Sequence, residues 1–155
     1  MWTTVLNRPY ESSKSTVWAR MISGRFHTEM FCRHFSGNRE GYCRAANCNE
    51  VYGTLEHILI TCPAFKATRE RMYVMWLSET VMFPTLHALI REILKSDEST
   101  KACFFLEPLT AAEIRADALS YGSHYIETIS YLTRTFLFVM NREYLKSVKL
   151  ILSFT

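Results

Sequence analysis

Four residues of metal-ligand type fall within twenty positions of one another: Cys43, Cys48, His57 and Cys62, spaced C-x4-C-x8-H-x4-C. Three thiols and one imidazole complete a tetrahedral set for zinc, and such a set leaves no coordination position for a reactive water. Packed core thiols and a core histidine are the bland alternative, because free cysteine behaves as a small hydrophobe. A core accounts for each of the four singly, whereas a metal accounts for their grouping as two pairs flanking a turn. Disulfides are the other alternative. The opening MWTTVLNRPYESSK lacks the apolar stretch of a secretory signal, so the expected location is intracellular, nuclear or cytoplasmic, where thiols stay reduced.

The elements that must position these ligands can be read locally. Arg44, Ala45, Ala46 and Asn47 form a short loop that can curl Cys43 and Cys48 toward one point. Gly53 and Thr54 mark a turn and a helix start, with Thr54 as N-cap. Leu55 to Cys62 reads as a short helix. His57 and Cys62 stand about one and a half turns apart, so an ideal helix does not put them on one stripe. They can meet one metal if the helix tightens or ends near Cys62, and Pro63 marks a break there.

The wider chain reads as helices. Residues 1–11 are expected to be a flexible tail. Ser12, Ser13 and Ser15 offer caps for a helix through Val17, Trp18, Met21 and Ile22, stopped by Gly24. A second helix is expected over Thr28–Phe35, and a helix from Ala64 to about Leu77 follows the ligands. Its core face is Phe65, Met72, Met75 and Trp76, and its wet face Lys66, Arg69, Glu70 and Arg71. Pro84 opens the next helix, which runs to Leu94. Ser96–Lys101 reads as a polar loop, with Asp97 and Glu98 solvated, and Cys103–Leu109 as an apolar connector. Thr110 caps a helix over Ala111–Ala118, Gly122 interrupts, and a last helix spans His124–Leu152. The expectation is a mostly α fold, a small helical domain around a structural CCHC knuckle. Residues 12–80 carry the basic lead-in, the knuckle and the following helix, and residues 81–155 pack on the same domain.

Bulk composition narrows the classes. A hydrophobic share of 48% with 21% charged residues describes a globular chain and excludes a disordered one. No apolar run approaches the roughly twenty residues of a membrane-spanning helix. The net charge of +3 is unevenly placed. Up to Arg44 there are seven basic residues (Arg8, Lys14, Arg20, Arg25, Arg33, Arg39, Arg44) against three Glu, a local net of +4. Arg25, Arg33, Arg39 and Arg44 lie before or within the proposed finger, interleaved with Phe26, Phe35 and Tyr42. Guanidinium groups neutralise phosphates and aromatic rings stack on unpaired bases, so these arginines are the candidate contacts to RNA or DNA. The other reading makes the arginines a solvated face and Phe26 and Phe35 core. His34 could substitute as a ligand, although a local hydrogen bond suits it better. His27, His87 and His124 read as structural or exposed, and Cys32 and Cys103 as packed thiols. No Asp-Asp pair, triad or clustered glycine loop occurs, so no catalytic residue is assigned and the chain is not expected to be an enzyme.

These words also resemble a known family. SGRFHTEMFCRHFSGNREGYCRAANCN followed by GTLEHILITCPAFKATRERMYVMW is similar to the region beyond the polymerase in reverse transcriptases of non-LTR (LINE-type) retrotransposons. That family carries a CCHC finger in which a Leu-Glu-His-Leu-Leu-like stretch leads to Cys-Pro, matched by Leu55, Glu56, His57, Ile58, Leu59, Cys62 and Pro63. Gly24, Arg25, Phe26 and Thr28 match its upstream Gly-Arg-aromatic-x-Thr, and Leu132–Lys146 is similar to its closing basic-aromatic helix. The Cys43–Cys48 gap is wider than the commonest family spacing. The resemblance implies a zinc-dependent nucleic-acid-binding module, working beside a reverse transcriptase or endonuclease domain. The alternative is a protein-interaction or scaffold module, or an inactive remnant of a retroelement.

Overall fold

A computed structural model describes residues 9–23, 28, 41–45, 48 and 50–152. The helix expected over Thr28–Phe35 lies outside the described residues apart from Thr28, and Gly24, His27, Cys32 and His34 lie outside them too. The six α-helices described are α1 (Pro9–Ile22), α2 (Lys66–Glu79), α3 (Pro84–Ile93), α4 (Glu98–Leu106), α5 (Ala112–Tyr121) and α6 (Ser123–Leu152). Short turns of other pitch precede two of them: a π-helical turn His57–Thr61, then 3₁₀ turns Pro63–Phe65 and Pro108–Thr110. The only strand-like feature among the described residues is an isolated antiparallel bridge between Tyr42 and Tyr52.

Helix α6 organises the packing. Tyr125, Ile129, Leu132, Phe136, Met140 and Tyr144 recur at three- and four-residue spacing and are all buried. This stripe packs against α2, α4 and α5, while α1 lies along the same helix. The α1 seam is partly polar. Lys14 Nζ donates to Thr135 Oγ1 at 3.2 Å and sits 4.6 Å from the Tyr131 ring centre. Trp18 Nε1 donates to the Leu106 carbonyl at 3.3 Å, tying α1 to the end of α4. The middle of the core is aromatic. Phe105 stacks on Phe136 at 4.8 Å and meets Trp76 edge-on at 5.4 Å, a geometry that suits ring quadrupoles.

Several expected boundaries move. Helix α1 begins at Pro9, so residues 9–11 of the expected tail are helical. Proline's fixed φ and missing N–H suit a first helical position. Most of the expected loop 96–101 and the first half of the expected connector 103–109 fall instead within α4, Glu98–Leu106, and the connector ends in the 3₁₀ turn. Asp97 is exposed, but its carboxylate accepts from the Thr100 N–H at 2.9 Å and from the Thr100 hydroxyl at 2.7 Å. That cap, with buried Ala102, Phe104 and Phe105, starts a helix where polar composition suggested none. Thr110 does not cap α5; it closes the 3₁₀ turn, and Ala111 takes the cap position without a side-chain bond. Gly122 does separate α5 from α6, with φ 71° and ψ −156°, a backbone region open essentially to glycine alone. Cys103, expected to be packed, is exposed. No helix among the described residues is long and apolar enough to cross a membrane.

Candidate metal centre

The first ligand pair rides on a tight loop. Cys43 N–H donates to the Val51 carbonyl at 2.7 Å and Gly53 N–H to the Gly41 carbonyl at 2.9 Å, flanking the Tyr42–Tyr52 bridge. The two tyrosine rings stack at 5.1 Å. Cys48 is turned back by its own N–H, which donates to the Ala45 carbonyl at 3.3 Å. Glu50 completes the return in the left-handed region, φ 55°, which is uncommon for a residue with a Cβ.

The second pair depends on a change of helical pitch. Thr54 caps the start as expected, its hydroxyl accepting from His57 N–H at 3.1 Å. Rather than tightening, the helix then widens. Cys62 N–H donates five residues back to the His57 carbonyl at 2.7 Å, the π-helical bond. An α-helix would place residues five apart on different faces, and the wider turn brings them together. The chain then leaves the helix at Cys62, whose ψ of 118° is extended. Pro63 imposes this, because its ring disfavours helical geometry in the preceding residue. Ile58, Leu59 and Ile60 are buried and anchor the turn against the body.

The four expected ligands therefore converge. Their ligand atoms all lie within 4.8 Å of one another, and all four residues are buried, Cys62 completely. Cys48 Sγ and Cys62 Sγ stand 3.4 Å apart, well beyond the roughly 2.05 Å of a disulfide. Zinc–sulfur bonds of about 2.3 Å in a tetrahedron imply sulfur–sulfur edges of about 3.8 Å. The cluster thus fits a four-coordinate ion with shifts of about an ångström or less at its widest edge. The Cys62 thiol is held below its ordinary pKa, first by its hydrogen bond with Cys43 and also by the Ala64 N–H, against the opposing effect of burial. A depressed thiol pKa favours the thiolate that binds metal.

Thr61 fixes the imidazole. Its hydroxyl reaches back to the His57 carbonyl at 3.5 Å and meets His57 Nδ1 at 2.8 Å. In the tautomer protonated at Nδ1, the one a metal on Nε2 requires, the hydroxyl accepts from Nδ1–H. That tautomer puts the lone pair on Nε2, which is fully buried. A donor bond from the remote ring nitrogen is the usual support of a metal-bound histidine.

Arg69 departs from expectation. Read as part of the wet face of α2, it is 6% exposed, and its Nη1 donates to the Cys62 carbonyl at 2.7 Å. Phe65, Arg69, Met72 and Trp76 share one helical stripe and are all buried. The 4-3-4 spacing was visible in the sequence, but residue type masked it. Of the four arginines expected to touch nucleic acid, Arg44 sits half-buried beside Cys43, while Arg25, Arg33 and Arg39 lie outside the described residues. His87 Nδ1 contacts the Leu77 carbonyl at 3.1 Å, and His124 is exposed with its ring centre 5.9 Å from that of Phe83. Comparisons with protein-family models, with characterised proteins and with solved structures each return no match to this chain.

Proposed function

We propose that the chain is a zinc-dependent nucleic-acid-binding module. Cys43, Cys48, His57 and Cys62 hold one structural Zn2+. The observation that carries this is the convergence of three thiols and one oriented imidazole on a buried point. A donor set of soft sulfurs with imidazole selects zinc over hard cations. Four protein ligands leave zinc a structural role, and the sequence carries no Asp-Asp pair of polymerase type, so this reading assigns a binding module rather than a polymerase. Reduced thiols suit a nuclear or cytoplasmic location.

Nucleic acid is the partner favoured by charge. The net of +4 up to Arg44 reaches the site loop itself, where Arg44 follows Cys43. Phosphate contacts position a ligand without reading bases, so binding is broad in sequence. The family resemblance points the same way: a segment from beyond a retrotransposon polymerase, holding template RNA or target DNA for an adjacent reverse transcriptase or endonuclease domain. Replacing Arg33, Arg39 and Arg44 together with Ala tests this. RNA and single-stranded DNA binding should weaken, and the salt slope should fall by about one unit per lost contact, with zinc content unchanged. Unaltered affinity and slope would favour the second reading, a protein-interaction module or an inactive remnant. Exposed apolar side chains at Val81, Met82 and Leu119 support that second reading, Leu119 being 90% exposed.

A further inference from the structure

Arg69 is a charge removed from water. A guanidinium stays protonated at any pH a folded protein survives. Burying it is costly unless an opposite charge lies close. Among the described residues no carboxylate lies within ion-pair distance of it; the neighbouring Glu70 pairs outward with Lys66 at 3.9 Å. What Arg69 does meet is the knuckle, through the 2.7 Å bond from Nη1 to the Cys62 carbonyl. Its stripe-mates Phe65, Met72 and Trp76 are apolar and buried, so an apolar residue would satisfy the core at this position equally well.

The metal centre proposed above supplies the missing charge. Three thiolates and one neutral imidazole around a dication leave one net negative charge in a buried site. We propose that Arg69 is the counter-charge of this centre: its guanidinium offsets the net negative charge of a Cys3His-bound dication while its hydrogen bond fixes the Cys62 carbonyl. The inference rests on the metal reading and assigns Arg69 as a positioning residue. It follows that the penalty for losing Arg69 depends on the charge of the donor set. A role limited to packing or to the carbonyl bond carries no such dependence.

The test is zinc competition against a chromophoric chelator, with full-length chain under reducing conditions and far-ultraviolet circular dichroism recorded on each variant. Arg69→Gln keeps a donor without the charge, and Arg69→Lys keeps the charge without the fork. The Gln variant should bind Zn2+ roughly 10- to 100-fold more weakly, the range seen for outer partners of metal ligands. The Lys variant should retain most of the affinity. In a Cys43→His background the donor set becomes neutral, and the penalty for Arg69→Gln should shrink, as a double-mutant cycle reads directly. Arg69→Gln binding as tightly as the parent overturns the proposal. So does an equal penalty in both backgrounds. Should the Gln variant fail to fold or the Cys43→His chain bind no zinc, the Lys variant decides: a folded Lys variant with affinity lowered about tenfold or more also overturns it. A parent chain that binds no zinc sinks the metal reading itself, an outcome distinct from the failure of Arg69.

Discussion

At the scale of residues, Thr61 supports the four-residue cluster through its contacts with His57. The hydroxyl lies 2.8 Å from His57 Nδ1 and 3.5 Å from the His57 carbonyl, which orients the ring with Nε2 toward the cluster's buried side. Thr61→Val removes those contacts at nearly constant volume. Zinc affinity should fall by roughly 10- to 100-fold while helix content is kept, as competition titration and circular dichroism would show. Glu50 offers the opposite change. Its φ of 55° costs a side-chain-bearing residue, so Glu50→Gly should stabilise the loop by up to ~1 kcal/mol, read from denaturant unfolding of the metal-free chain. The ligand set, the Thr54 cap and the Pro63 break were legible in the sequence because each depends on residue type and short spacing. Arg69 is not, because its charge suggests a solvated face whereas its register with Phe65, Met72 and Trp76 places it in the core. Cys103 misleads for the converse reason: cysteine packs well in general, but this one falls on the exposed side of α4.

At the scale of elements, the decisive departure is the π-helical turn His57–Thr61. An ideal helix over Leu55–Cys62 would have separated His57 from Cys62. Hydrogen-bond pitch is a property of the packed turn, and the sequence signals only its end, at Pro63. Helix α4 was hidden for another reason. Its first turn is polar, and Asp97 in isolation reads as a solvated carboxylate rather than a cap. Asp97→Ala should lower the melting temperature. The cap bonds from Thr100 hold the Asp97 carboxyl below its ordinary pKa, so their contribution is present above the unfolded carboxylate value and is lost as pH falls through the folded one. The Asp97→Ala chain should therefore lose less stability on acidification than the parent. Gly122 sets the α5–α6 junction. A Cβ there meets no atom within 4 Å, so the cost of Gly122→Ala is conformational, of order 1–3 kcal/mol by chemical unfolding.

At the scale of the whole molecule, the knuckle is part of the helical body. The π-helical turn contacts α2, α4 and α6, and Phe65 just beyond it meets Tyr144 of α6 edge-on at 6.4 Å. The mostly helical architecture and its long closing helix were legible from apolar periodicity alone, whereas the lie of α1 along α6 depends on contacts such as Lys14–Thr135, more than a hundred residues apart. Because folding buries the four donor residues, binding of a metal there would be coupled to folding. Removing zinc with a chelator should lower the melting temperature of the whole chain, and restoring it should recover that loss. The most direct measurement is the metal content of the purified chain beside its Cys62→Ser and Cys103→Ser variants. One zinc per chain is predicted for the parent and for Cys103→Ser, and none for Cys62→Ser; a metal-free parent, or stoichiometric zinc kept by Cys62→Ser, would contradict the site.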